Sequence, residues 1–299
     1  MAVTLSNFIR ALRLPFSTVS ILGFICGSLI ALPNFNWIVF ALGLLAALAT
    51  HLSANLLNDY ADSKSGADWK DKQFYRFFGG SKLIQEGVLS ESFYLKIAIF
   101  FAGAALSAVG ILAFLFKDWL ILVYYAVILL LGWSYSLPPA QLCYHRLGEL
   151  VIFILFGPAL VMGGYFTQTQ VFPALESFVV ALPFGFFTVA ILYANEVPDF
   201  SDDQKALKHT LVSLIGPQKA YVFYDILMSC GFLSILAGIY LGYLSLISLS
   251  AFPVLFLSYK ATRILKTSFA DKLKLTQASK LTIAAHALVS IVLIADMLL

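Results

Sequence analysis

Long apolar runs recur from one end of the chain to the other, each close to the ~20 residues that carry a helix across ~30 Å of hydrocarbon. Read by length and interruption, the pattern predicts nine helical spans, at roughly 14–33, 37–57, 93–116, 118–137, 147–168, 172–194, 218–243, 245–262 and 278–298. The fold class expected is therefore all-α, a polytopic membrane protein. Composition agrees: of 299 residues, 61% are hydrophobic and only 12% charged, whereas soluble domains run near 45–50% apolar and about 25% charged. The first residues, through Phe16, carry Arg10 and Arg13 in an amphipathic stretch without a small-residue cleavage site, and read as no cleavable signal peptide. Cys26, Cys143 and Cys230 are scattered without metal-ligand spacing.

Charge fixes an orientation. With nine spans, the N-terminus and the links after spans 2, 4, 6 and 8 share one side. All of the 19 basic residues except Lys117 fall there, Lys70 and Lys272 among them. By the positive-inside bias that side is cytoplasmic. Links on the other side, such as "PNFN" (33–36) and "FKDW" (116–119), are short. Function is expected in the two long cytoplasmic links, about 59–92 and 195–217.

Those links open alike. Asn58-Asp59-x-x-Asp62 matches Asn195-Glu196-x-x-Asp199, and each is followed by another carboxylate (Asp68; Asp203) and a lysine (Lys82; Lys208). Asp62 and Asp199 are 137 residues apart, four spans on this reading. An even number of spans returns a repeat to the same face in the same orientation, as in parallel internal repeats. Asn58 and Asp62, or Asp199 and Asp203, share a face at i, i+4 spacing. Converging carboxylates at a membrane cavity repel one another and are costly to desolvate. A hard divalent cation relieves both costs, and Mg²⁺ commonly takes one or two carboxylates plus substrate phosphates. Two acidic faces with nearby bases thus suit a Mg²⁺-bridged diphosphate. Solvated helix caps would explain one such motif but not two matched copies.

These residues resemble the UbiA-type superfamily of intramembrane prenyltransferases, whose marks are N-D-x-x-D-x-x-x-D and a second D-x-x-x-D. "NDYADSKSGAD" (58–68) fits the first, with Gly66 at the usual last Asp position. That variant looks like the branch that prenylates 1,4-dihydroxy-2-naphthoate in menaquinone synthesis. "GGSKLIQEGVLS" (79–90) and "YSLPPAQLCYHRLGELVIFILFGPALVMGGYFTQT" (135–169) also resemble that branch. Asp199-x-x-x-Asp203 fits the second motif, although Leu207 stands where Gly is expected and Glu196-Val197-Pro198 replaces Asn-x-Arg. The C-terminal third matches only in hydropathy.

The resemblance implies nine helices around a central cavity, capped by short cytoplasmic helices from the two links, in a single domain spanning 1–299. The donor implied is a polyprenyl diphosphate, the acceptor an aromatic ring and the cofactor Mg²⁺. Metal ligands would be Asp62, Asp68, Asp199 and Asp203, with Asn58, Asp59 and Asn195. Asp62, Asp199 and Asp203 would be the carboxylates essential to catalysis. Lys82, Lys208 and Arg76 are candidate diphosphate clamps. Arg13 and Arg146 read first as positive-inside anchors and second as residues that could hold an acceptor carboxylate bidentately. Tyr135, Tyr144 and Tyr193, near cytoplasmic span ends, are the aromatic candidates for cation–π stabilisation. His51, one turn before Asn55, reads first as a buried structural histidine, Glu149 as a helix-start acid and Asp225 as an intramembrane acid. The expected location is a bacterial inner membrane with the site mouth cytoplasmic; no nucleic-acid partner is expected.

Two rivals predict something else. A secondary transporter would cluster its charges near the bilayer midplane on broken helices. A CDP-alcohol phosphotransferase needs D-G-x-x-A-R after its first Asp, which "DSKSGADWKD" (62–71) lacks. Within the superfamily, 4-hydroxybenzoate, homogentisate, chlorophyllide and haem are the competing acceptors.

Overall fold

A computed structural model describes residues 4–32, 35–69 and 71–299. Lys70 and the 33–34 half of the first short link lie outside the described residues. Among the described residues every regular element is helical. Helix α1 (Leu5–Ala11) ends at an elbow where Arg13 takes a positive φ of 50° and a short 3-10 turn, Leu14–Phe16, holds Pro15. The chain bends there by 47° into α2 (Ser17–Leu29). Then come α3 (Trp37–Ser65), α4 (Glu91–Phe116) and α5 (Leu120–Ser134). Helix α6 (Gly148–Ile154) passes through a π-helical turn at Leu155–Ala159, around Pro158, into α7 (Leu160–Thr169). Helix α8 (Leu175–Lys205), the short α9 (Leu211–Ile215), α10 (Ala220–Tyr240), α11 (Leu255–Thr267) and α12 (Lys272–Leu298) complete the chain.

Six helices are long and apolar enough to cross a membrane: α3, α4, the α6–α7 run, α8, α10 and α12. The bent α1–α2 pair raises the number to seven. The other two expected spans hold shorter pieces. Helix α5 has 15 residues, set off by Asp118, which accepts from Leu120 N at 2.9 Å, and by Pro138-Pro139 beyond its end. The 245–262 segment begins as a 3-10 stretch, Leu246–Val254, before α11. Its serines offer the backbone other partners, and Pro253 brings no N–H. Asp296 of α12 secures that stretch, accepting from Ser245 N at 2.8 Å and Ser248 Oγ at 2.6 Å.

Helix α8 is the centre: 78% of its apolar window is buried, against 33–44% for the other five. It packs on α10, α12 and α6, and α12 closes back on α2. Helices α2 and α7 nearly touch, because a Cβ on Gly27 would lie 2.0 Å from Val161 O and one on Gly164 2.6 Å from Phe24 O. Without side chains at these two points, backbones approach in the manner typical of membrane helices.

The two links differ from the expectation. Helices α3 and α8 do not stop at 57 and 194; they run on to Ser65 and Lys205 and carry both motifs on their last turns. The described residues of 66–90 contain no helix, and Gly66, Gly79, Gly80 and Gly87 all take positive φ there. Among the described residues, α1, α9 and the 3-10 turn Leu142–Tyr144 supply short helical pieces at that end. The cap is therefore mainly a turn-rich strap laid across the ends of α3 and α8.

Candidate active site

Each motif residue owes its place to a helix end. Gly66, at φ 86°, is the left-handed cap that stops α3, a position glycine fills without a Cβ penalty. The turn it makes brings Asp68 back toward Asp62, and both line one cavity. Gly66 thus stands in the first motif as a helix stop, with Asp68 supplying the carboxylate two residues on. At the other motif, α8 closes with Leu207 at φ 56° and a bond from Lys208 N to Asp203 O of 2.9 Å. That Schellman-type ending sends Lys208 back over the acids of its own helix.

The cavity has a volume of about 100 Å³. Asn58, Asp62 and Asp68 line it from one side, and Asn195, Glu196, Asp199, Asp202 and Asp203 from the other. Lys208 Nζ lies 3.5 Å from Asp62 Oδ2 and 3.6 Å from Asp203 Oδ1, so one ammonium joins the two motifs. Burial alone would depress that lysine; Asp203 and then Asp62 overcome it and hold its pKa well above the ordinary value. Asp62 Oδ1 also accepts from the Tyr144 hydroxyl at 2.9 Å, and Asn58 donates to Asp62 at 3.3 Å and to Ser136 Oγ at 3.1 Å.

The strap contributes the rest. Lys82 Nζ donates to Asp68 Oδ1 at 2.8 Å and to Asp68 O at 3.2 Å. Burial is the largest influence on Asp68, Asp62 adds repulsion, and Lys82 offsets only part of both; the carboxyl is pushed up to about 7. Gly79 N donates to Asp199 Oδ2 at 3.0 Å. Ser81 N donates to Asp59 Oδ2, also at 3.0 Å. The approach is close: a Cβ on Gly80 would meet Asp68 Oδ2 at 2.7 Å. At the mouth, Lys272 Nζ bridges Asp71 at 2.7 Å and Asp202 at 2.8 Å.

Among the predicted residues, the structure brings Asn58, Asp62, Asp68, Asn195, Asp199, Asp203, Lys82, Lys208, Arg13 and Tyr135 to one cavity. Tyr144 reaches it through Asp62. Asp59 is turned away, 3% exposed, bonded to Ser81 N and 3.4 Å from Arg13. Arg76 and Arg146 are exposed and outside the lining. Tyr193 is fully buried against Phe223, its ring 5.0 Å away. His51 accepts or donates with Ser20 Oγ at 2.7 Å and stands edge-on to Phe156, a structural place. Asp225 bonds the Thr262 hydroxyl between α10 and α11. Glu149 accepts from Leu211 N at 2.9 Å, tying α6 to α9. Sequence reasoning missed Ser136, the Gly79–Ser81 backbone and Lys272; only the first two lie in stretches that carried any resemblance.

The donor set fits Mg²⁺. All candidate ligands are hard oxygens, and Asn195 Oδ1, buried at the cavity wall, has no hydrogen-bond partner. No group of three or more His, Cys, Asp or Glu ready to hold a metal occurs among the described residues. Mg²⁺ commonly takes one or two carboxylates and completes its shell with substrate phosphates and water.

Comparisons with known proteins follow the same lines. The UbiA prenyltransferase family profile matches residues 20–284. The chain is 29% identical over 252 residues to UbiA prenyltransferase domain-containing protein 1 of Dictyostelium discoideum, covering 82% of this chain and 72% of that one. It is 28% identical to 2-carboxy-1,4-naphthoquinone phytyltransferase of Synechocystis (70% and 66% covered). The same identity holds with 1,4-dihydroxy-2-naphthoate octaprenyltransferase of Haemophilus influenzae (68% and 66%). The chain spans about two thirds of the length of these last two. In fold it is similar to a UbiA homolog from Aeropyrum pernix, TM-score 0.74 at 13% identity over 94% of this chain and 98% of that one. A UbiA homolog from Archaeoglobus fulgidus bound to DMAPP and Mg²⁺ gives TM-score 0.64 at 16% identity, with 96% and 99% covered.

Proposed function

This chain belongs to the UbiA prenyltransferase family and is a prenyltransferase, and we propose that it transfers a polyprenyl group from an isoprenyl diphosphate to 1,4-dihydroxy-2-naphthoate. The observation that carries the reading is the single cavity into which both acidic motifs project, joined by Lys208 between Asp62 and Asp203. The acceptor rests on the naphthoate-type first motif and on the Synechocystis and Haemophilus relatives.

Asp62, Asp68, Asp199 and Asp203, with Asn58 and Asn195, would hold Mg²⁺, which when bound offsets charge developing on the departing diphosphate. Lys82 and Lys208 hold diphosphate oxygens. The bond from the allylic C1 to the diphosphate oxygen breaks, and the ring carbon of the acceptor bonds C1. Where that ring carbon is the one bearing the carboxylate, its C–COO⁻ bond then breaks, releasing CO₂ and returning the electron pair to the ring, so that aromaticity is restored with no net proton change. Tyr135, at the cavity wall, offers a π-face to the allylic cation, and the apolar bundle keeps water from it. Arg13 is the cation placed to take an acceptor carboxylate.

The nine-span arrangement belongs to the same reading, with α5 and the 246–267 run as the shorter spans. Val123, Tyr124, Val127 and Leu130 of α5 are exposed and apolar, as a lipid-facing surface requires. The basic bias supports a cavity mouth on the cytoplasmic side, and the membrane in this reading is a bacterial inner membrane. The test is an assay of purified protein with a labelled polyprenyl diphosphate against 1,4-dihydroxy-2-naphthoate, 4-hydroxybenzoate and homogentisate. Preferred prenylation of the naphthoate is expected; preference for another ring would overturn the acceptor assignment, and no product at all the transfer itself.

A further inference from the structure

Lys272 lies in the C-terminal third, which carries no motif, yet it begins α12 at the mouth of the cavity. Asp271 caps that helix by accepting from Lys274 N at 3.1 Å, which fixes where the next residue starts. The Lys272 side chain, 24% exposed, enters the lining between the strap and the end of α8. Its ammonium has three N–H donors. Two are used, on Asp71 Oδ2 at 2.7 Å and Asp202 Oδ2 at 2.8 Å. The same Nζ lies 5.7 Å from the Tyr75 ring centroid, and Tyr75 is itself a lining residue stacked on Phe78.

We propose that Lys272 is a diphosphate-binding residue, aimed by Asp71 and Asp202 so that its third N–H meets a phosphate oxygen of the donor. The inference rests on the diphosphate reading of the cavity given above. Two observations favour it over a mere fastening of the mouth. Lys272 lines the same cavity as Lys82 and Lys208, the other cations assigned to the diphosphate. Asp71 and Asp202 are not among the residues proposed for Mg²⁺, so they keep hold of Lys272 when the metal and substrate arrive.

The test is calorimetric binding of geranyl thiolodiphosphate, whose carbon–sulfur bond resists ionisation, in the presence of Mg²⁺. It needs no aromatic acceptor. Lys272→Met is expected to weaken binding by roughly ten- to a hundredfold, the weight of a hydrogen bond to a charged group, while Lys272→Arg stays within about threefold of wild type. The KM for the acceptor should not change in either variant. Unchanged analogue affinity in Lys272→Met alongside a lowered Tm would overturn the proposal and leave Lys272 a fastener. Failure of the wild-type protein to bind the analogue would overturn the diphosphate reading with it, so the two failures are told apart.

Discussion

The backbone N–H of Gly79 donates to Asp199 Oδ2 across 3.0 Å, joining the strap after the first motif to the helix that carries the second. Neighbouring Gly80 makes this approach possible, and it does so by lacking a Cβ. Gly80→Ala places a methyl 2.7 Å from Asp68 Oδ2 and 3.1 Å from Asp59 Oδ1. Gly87→Ala, in the same strap at φ 69° against 70° for Gly80, meets nothing within 4 Å. Both substitutions bear the left-handed backbone penalty of about 1–2 kcal/mol, so the difference between them reports the carboxylates alone. Gly80→Ala should lose at least about tenfold more activity than Gly87→Ala, read as initial rates at matched protein levels, with Mg²⁺ affinity falling in parallel.

Leu207 occupies the left-handed position that ends α8, with φ 56° and a 73% exposed side chain. Nothing repays the strain through burial. Leu207→Gly should raise thermal stability in detergent by up to about 1 kcal/mol, net of glycine's greater chain entropy. The turn that positions Lys208 is retained, so activity should be kept. A lower Tm would show that Leu207 contributes a contact outweighing its backbone cost.

The pH dependence of metal binding follows from Asp68. Its carboxyl is raised to about 7 by burial and by Asp62, against the opposing Lys82. A proton therefore competes with Mg²⁺ as pH falls through neutrality, and Mg²⁺ affinity should climb between about pH 6 and 8. Lys82→Met removes a charge that favours the carboxylate and should move the rise to higher pH. Mg²⁺ titrations at fixed pH steps measure both; a Lys82→Met profile displaced to lower pH would contradict the pairing.

Three arginines chosen from sequence are divided by their surroundings. Arg13 lines the cavity and donates to Asn58 Oδ1 at 3.3 Å, whereas Arg76 and Arg146 are exposed away from it. Arg13→Gln should raise KM by about tenfold or more. Arg76→Gln and Arg146→Gln should stay within about twofold. Steady-state kinetics on the three variants checks the division.

Much of the site could be read before the fold was known, because i, i+4 spacing is a one-dimensional signal. Asn58 and Asp62 share a face of α3, as do Asp199 and Asp203 of α8, and the structure sets both pairs on one cavity. Helix rotation explains what failed. Tyr193 is two residues before Asn195, about 200° around the helix, and so points into the core. Asp59 is about 100° from Asn58 and meets the strap. The helices outran their expected ends because the run of Asn and Asp reads as a break, while here those side chains bond one another and the cavity lysines. Lys272 had no signal: its neighbours Asp71 and Asp202 meet it only after the last helix folds back beside α8.

The most direct measurement is product formation by Asp62→Asn and Asp199→Asn, each inserted in membranes at wild-type levels, with labelled polyprenyl diphosphate, 1,4-dihydroxy-2-naphthoate and Mg²⁺. One substitution removes a carboxylate from each motif while keeping side-chain size. If the two motifs form a single site, each variant alone loses at least about a hundredfold in rate, and EDTA abolishes the wild-type reaction. A wild-type rate in either variant would contradict a shared site.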